Sequence, residues 1–254
     1  GFAEGKWEER LEWDGTKLKR FPIPAPLCES SQSDCMLQRY EPLEHLARRI
    51  DSLAQELSKI LPSAILPNVV STTDLDQIER NKIRAIKFRA EMVALQEELD
   101  WLCYQTYGLT DKCLTYEGKL PLVHAGERSF EIKLARQSSA SESGADAWFT
   151  RHKLTPTPAI PEHWPDDYKV IVRKRLELME SDPFVKLIEQ PEYKRRWMPL
   201  DWDELEQAAL GDWLLTFLER ESFDETNPTL ITAAQLSDRV QRNPLASAIA
   251  KRIA

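Results

Sequence analysis

Leu43, Leu46, Ile50, Leu53, Leu57 and Ile60 recur in steps of three and four between about residues 42 and 61. At 3.6 residues per turn, that spacing draws a narrow apolar seam along a helix, and such a seam needs a helical partner. A second stretch, about residues 73–107, supplies one. It carries Ile83, Ile86, Ala90 and Val93 as one stripe and Met92, Leu95, Leu99 and Leu102 as another. Gly108 is its stop signal, because glycine enters the left-handed conformation that ends a helix without steric cost. The two stretches are expected to pair as a long antiparallel hairpin, a coiled-coil-like spacer connected through residues 62–72. Two core helices of an ordinary bundle are the alternative.

The flanking segments read differently. Trp7, Glu9, Leu11 and Trp13 share one face of an extended segment, and Asp14-Gly15 suits a tight hairpin turn, so a short β-hairpin is expected at the N-terminus. Pro22, Pro24 and Pro26 then enforce an extended exit. Beyond Gly108, residues 120–124 and the alternating Phe130, Ile132 and Leu134 have the period of strands, followed by a Ser-rich break at 137–144. The remainder is rich in helix signals. Helices are expected at about 165–180, 183–189, 201–220 and 232–242, with a last one opened by Asn243 as N-cap and Pro244 in the first turn. The expected fold class is therefore mainly α with minor β. Its parts are a β-containing end at 1–27, the helical spacer at 42–109, a mixed strand and loop linker at 110–144 and a C-terminal helical domain at 145–254.

A chain of 254 residues, 42% of them hydrophobic, can bury one large core or two modest ones. A net charge of −8 argues against a surface coated all over by nucleic acid, so any DNA contact has to be local. Cys28, Cys35, Cys103 and Cys113 have the scatter of reduced thiols rather than of a disulfide framework or a zinc module. No stretch reaches the roughly 18 apolar residues of a membrane span, and no secretory signal opens the chain; a cytoplasmic protein without membrane contact is expected.

Catalytic motifs are missing. All eight glycines are isolated, so no glycine loop lets a backbone approach a cofactor's phosphate or adenosyl group. Asn227-Pro228 and Asn243-Pro244 both lack the following proline and aromatic residue on which a flipped base would stack. No nucleophile elbow is present either. No catalytic, cofactor-binding or metal-binding residue is therefore assigned.

Two cationic groups are candidates for DNA contact. Arg80, Arg84 and Lys87 fall at helical spacing and form one ridge that could follow a phosphate backbone. Lys194, Arg195, Arg196 and Trp197 place three cations beside an indole, which could hold phosphate or stack on an unpaired base. The plainer alternatives are a solvated helix face for the ridge, and for the second group a core tryptophan with charges that neutralise Glu189 and Glu192. His152, His163 and Trp164 read as packing and turn residues.

The run from Glu97 to Leu109 resembles the end of the helical spacer in large adenine-specific DNA methyltransferases. Phe130-Glu131-Ile132-Lys133-Leu134-Ala135-Arg136, Trp148-Phe149-Thr150-Arg151-His152, Ile160-Pro161-Glu162-His163-Trp164-Pro165 and the stretch from Ile188 to Trp197 are similar to the C-terminal region of the PglX family. These are the adenine-specific methyltransferases of BREX phage-defence systems, related to type IIG restriction-modification enzymes. The resemblance covers about residues 42–241. It implies a parent enzyme that uses S-adenosylmethionine and acts on double-stranded DNA, with other defence proteins as partners. This chain would be a non-catalytic piece of it, supporting target recognition, domain spacing or partner docking. A protein-interaction scaffold without DNA contact is the other reading. Gly1 in place of Met, and a last helix that runs to the final residue, suggest an excised fragment.

Overall fold

The computed structural model describes residues 34–140, 145–222 and 231–253. The chain divides into two compact units, residues 1–42 and 43–254, and the account that follows concerns the second. Helix α1 spans Asp34–Ile60 and carries Pro42 inside it, so it starts a little over two turns earlier than its apolar seam. A one-turn helix α2 (Pro62–Ile65) and two 3-10 turns (Leu66–Asn68 and Thr72–Leu75) lead into α3 (Asp76–Thr106). Then come α4 (Ser129–Ala140), α5 (Ala145–Arg151), α6 (Asp166–Ser181), α7 (Pro183–Ile188), α8 (Trp202–Ser222), α9 (Ala233–Arg242) and α10 (Pro244–Ile253).

Charges facing each other across the hairpin report the direction of α1 against α3. Arg49 meets Glu91 at 2.7 Å, and Glu56, seven residues further along α1, feels the charge of Arg84, seven residues back along α3. Equal and opposite steps mean antiparallel helices, with charges at heptad spacing beside the apolar seam. Ile50, Leu53, Leu57 and Ile60 are buried in that seam. On α3 the buried residues at this period are Ile78, Asn81, Ala85, Met92 and Leu95, and Ala90 and Val93 of the expected stripe are buried as well. Ile83 and Ile86, the start of the expected stripe, point outward and are 71% and 43% exposed. Leu109 N–H donates to the Tyr104 carbonyl and Gly108 N–H to that of Gln105, with Gly108 at φ 68°, so α3 ends in a Schellman motif.

The C-terminal helices start where local chemistry stops the preceding chain. Asp182 Oδ1 accepts from Phe184 and Val185 N–H ahead of Pro183, Thr232 and Gln235 form a capping box, and Asn243 Oδ1 accepts from Ala246 N–H. Helix α8 packs on α2, α9, α10 and the first 3-10 turn, closing the connected end of the hairpin. Helix α4 packs on α5 and α6, and α6 on α7. A strap formed by residues 197–201 joins these groups and runs alongside α3: Arg89 donates to the Met198 carbonyl, and Lys82 pairs with Asp203 in the first turn of α8.

The expected β structure is corrected. Among the described residues there is no strand. Residues 120–124 lack regular structure because their polar groups are spent elsewhere: Val123 N–H donates to the Ala90 carbonyl of α3, and the Leu122 carbonyl accepts from the Trp164 indole. Phe130, Ile132 and Leu134 lie in α4. Their period-two pattern arises because α4 is buried over most of its first turn, where Ser129, Phe130, Glu131 and Ile132 are all enclosed. The N-terminal hairpin expected in residues 7–21, like Cys28, falls outside the described residues.

Leu53 is 2% exposed, in the middle of the seam. Leu53→Ala is expected to destabilise the fold by roughly 2–5 kcal/mol, the range for a buried leucine that leaves a cavity. Urea denaturation checks this, and a loss below about 0.5 kcal/mol would place that face in solvent.

Candidate functional site

The last turns of α3 are enclosed on nearly every side, and there the sequence reads Glu97-Glu98-Leu99-Asp100-Trp101. A carboxylate removed from water needs a counter-charge and hydrogen-bond donors. Three cations supply them. Arg128, just before α4, donates through Nε to Glu97 Oε2 at 3.0 Å, through Nη2 to Asp100 Oδ2 at 2.7 Å and through Nη1 to the Arg195 carbonyl at 2.9 Å. Arg175 of α6 spans both oxygens of Glu98 with Nη2 at 2.8 Å, and its Nε donates to the Leu114 carbonyl. Lys194, after α7, contacts Asp100 Oδ2 and Glu189 Oε1, each at 2.7 Å. Tyr104 donates its hydroxyl proton to Glu189 Oε1 at 2.6 Å and accepts from Lys194.

Aromatic rings line the cluster. Arg175 sits over Trp101 and Tyr168, Arg128 over Phe130, and Lys194 over Tyr104 and Phe130. These faces stabilise cations where water is excluded. Glu131 at the third position of α4 turns back, so that Oε2 accepts from the backbone N–H groups of Arg128 and Gly126. That is the carboxylate half of a capping box, and it starts the helix that the sequence pattern had suggested was a strand.

The electrostatics divide the acids. Burial alone would raise Glu97, but Arg128, Lys194 and Arg175 outweigh it and hold its carboxyl well below the usual range. Burial likewise works against Arg128 and Lys194, and the surrounding carboxylates overcome it, so both stay charged. Burial pushes Glu189 up, and its Oε2 is enclosed without a hydrogen-bond partner. Glu131 is pushed up to about 7, chiefly by burial, against the pull of Arg128 and two backbone donors. Five carboxyl groups thus face three cations, and Glu131 carries a proton in mildly acidic solution. The arrangement is an internal lock: its donors and acceptors point at one another.

The candidate DNA-contact residues separate. Arg80, Arg84 and Lys87 are exposed on α3; Arg84 donates to Asn81 Oδ1 and lies over Phe88. Lys194 is enclosed in the charge cluster and Trp197 is buried, so neither is presented to a ligand at the surface. Arg195 and Arg196 are exposed, Arg195 over the Trp197 ring. His152 is buried with Nδ1 2.7 Å from the Trp148 carbonyl, and Trp164 is core, as packing residues should be. The charge cluster itself was missed. Its signal was available in the density of apolar residues around Glu97 and Glu98, where charges without partners are costly.

Recesses in the described surface include one of about 430 Å³ beside Leu66, Trp213 and Phe217 and one of about 250 Å³ beside Ile86 and Met198. Among the described residues no group of His, Cys, Asp and Glu is placed to hold a metal ion. No described helix is long and apolar enough to cross a membrane.

Fold and site thus define a helical module locked by internal ion pairs. The chain belongs to the family described as a domain of unknown function, DUF7008, whose profile matches residues 92–254. It is 38% identical over 253 residues, 96% of its length, to the adenine-specific methyltransferase PglX of Streptomyces coelicolor. The PglX resemblance read from the sequence is borne out by this match. The chain spans 19% of the length of that relative. No solved structure matches it.

Arg175→Met would leave Glu98 enclosed without its counter-charge. A loss of about 3–5 kcal/mol in urea denaturation is expected, partly recovered by Arg175→Met/Glu98→Gln, which removes both charges. A loss under about 1 kcal/mol would mean that water reaches the pair.

Glu131 gives the fold a pH dependence of known sign. A buried carboxyl raised from 4.5 to about 7 binds its proton more tightly in the folded state, so its contribution declines as pH rises through that window. Glu131→Gln keeps the cap and removes the titration. It is expected to match the wild type near pH 4.5 and to exceed its stability by about 1–3 kcal/mol above pH 7. Parallel stability curves for the two proteins would contradict this.

Proposed function

We propose that this chain is the non-catalytic portion of an adenine-specific DNA methyltransferase of a BREX-type phage-defence system. Its share of the work is to hold and space the domains of the parent enzyme and to support DNA target recognition through the outer face of α3. The observation that carries this reading is the division of the charges. The enclosed ones are spent on one another, whereas Arg80 and Lys87 stand outward on the described surface with no carboxylate within ion-pair distance. Together with Arg84 they offer a line of cations on a rigid helix, the arrangement that phosphate contacts require.

S-adenosylmethionine belongs to the rest of the parent enzyme in this reading. The two described glycines with positive φ are already committed. Gly108 caps α3, and Gly126, at φ 99°, gives its N–H to Glu131 and sits against the Thr155 carbonyl. Neither offers a cofactor its backbone.

A second reading, a protein-interaction scaffold without DNA contact, is favoured by the exposed Ile83 and Ile86 beside the same cations. Arg80→Ala/Arg84→Ala/Lys87→Ala separates the two. Under the first reading, binding to duplexes of any sequence weakens alike and the slope of log affinity against log salt flattens by up to about 0.9 per lost phosphate contact. Unchanged affinity and slope would assign the ridge to solvent and favour the scaffold.

A further inference from the structure

Between α3 and the strap at 197–201 lies a recess of about 250 Å³ whose walls include Ile86, Ala90, Val93, Ala125, Met198 and Leu200. Ile86 and Met198 form its open edge, and Ala90 and Val93 are buried beneath. Arg89 stands at the same recess, pinned by two hydrogen bonds of 3.0 and 2.6 Å from Nε and Nη2 to the Met198 carbonyl. Its guanidinium lies 5.3 Å from the Trp197 ring centroid, and that of Arg195 lies 4.6 Å from the same centroid. Among the described residues neither arginine has a carboxylate within ion-pair distance. The nearby Glu127 carboxylate is turned onto the backbone N–H of His124. Burial and the neighbouring Arg195 both push Arg89 downward, so holding this charge costs free energy that an incoming anion would return.

We propose that this recess docks an acidic segment of a partner protein. One large apolar side chain enters between Ile86 and Met198, and a flanking Asp or Glu carboxylate meets Arg89 and Arg195. The inference rests on the proposed accessory role and names a partner class for its docking function. The walls decide against a nucleic acid. Apart from Arg89 and the exposed His124 the walls are apolar, so a base edge would leave most of its donors and acceptors unpaired, whereas an aliphatic or aromatic side chain loses nothing there. A phosphate on the arginines alone would leave the recess unused. The segment that satisfies both halves carries an acid next to a hydrophobe.

Random peptides displayed on phage, panned against the full chain after depletion on its Arg195→Glu/Met198→Asp variant, test this. Surviving peptides are expected to place Asp or Glu within a few positions of Leu, Ile, Met or Phe. A synthetic copy is expected to bind the chain and to lose about tenfold or more in affinity to Arg195→Glu and to Met198→Asp separately. Both positions are exposed, and circular dichroism verifies that each variant keeps its helices. No survivors, survivors without carboxylates, or equal binding to the variants overturn the proposal. So does a single-stranded oligonucleotide whose binding is abolished by Met198→Asp, since that makes a nucleic acid the occupant. The Arg80→Ala/Arg84→Ala/Lys87→Ala chain is expected to bind the peptide like the wild type, which keeps the fate of the DNA ridge distinct from that of the recess.

Discussion

Glu97 sits in mid-helix with its carboxylate beyond the reach of water, and Arg128, Lys194 and Arg175 make that charge tolerable. These three cations come from separate stretches of chain, before α4, within α6 and after α7. Removing any one of them would leave a carboxylate enclosed without its counter-charge. The apolar core could form with some freedom of packing. The charge cluster could not, since its hydrogen bonds are directional and its partners are paired individually. Helices α4, α6 and α7 are thereby held in one arrangement around the end of α3.

Helix ends were legible because their causes are local. Asp182-Pro183, Thr232 with Gln235, and Asn243-Pro244 each carry the stop and start in adjacent residues, and the helices begin there. The Gly108 stop is of the same kind. What depends on distant partners was not legible. Phe130, Ile132 and Leu134 alternate like a strand, and only the enclosure of α4 explains why alternation can sit in a helix. In the run Lys194-Arg195-Arg196-Trp197 the residue types are alike in charge, yet Lys194 goes inward to Glu189 and Asp100 while its neighbours stay out. Composition along the chain says nothing about that parting, because it is decided by the carboxylates of Asp100 on α3 and Glu189 just after α7.

An acidic chain with an internal surplus of carboxyls also accounts for how its cations are divided. Arg128, Arg175 and Lys194 are consumed inside. Of the cations left outside, Arg48, Lys59 and Lys82 are paired with carboxylates, whereas Arg80, Lys87 and Arg195 have none within ion-pair distance among the described residues, so a ligand that seeks positive charge responds to local groups of cations. Function at such a surface depends on the position of each cation rather than on the overall charge.

The strap at residues 197–201 ties the lengths of two segments together. Met198 is fastened to Arg89 of α3, and just beyond the strap Asp203, in the first turn of α8, is fastened to Lys82. Seven helical residues of α3 advance about 10 Å, while three extended and two helical steps from Met198 to Asp203 reach at most about 13 Å. One added helical turn in α3 would exceed that backbone reach and leave the side chains to take up the difference. An insertion in α3 between these points is therefore expected to go with a longer strap if both fastenings are kept.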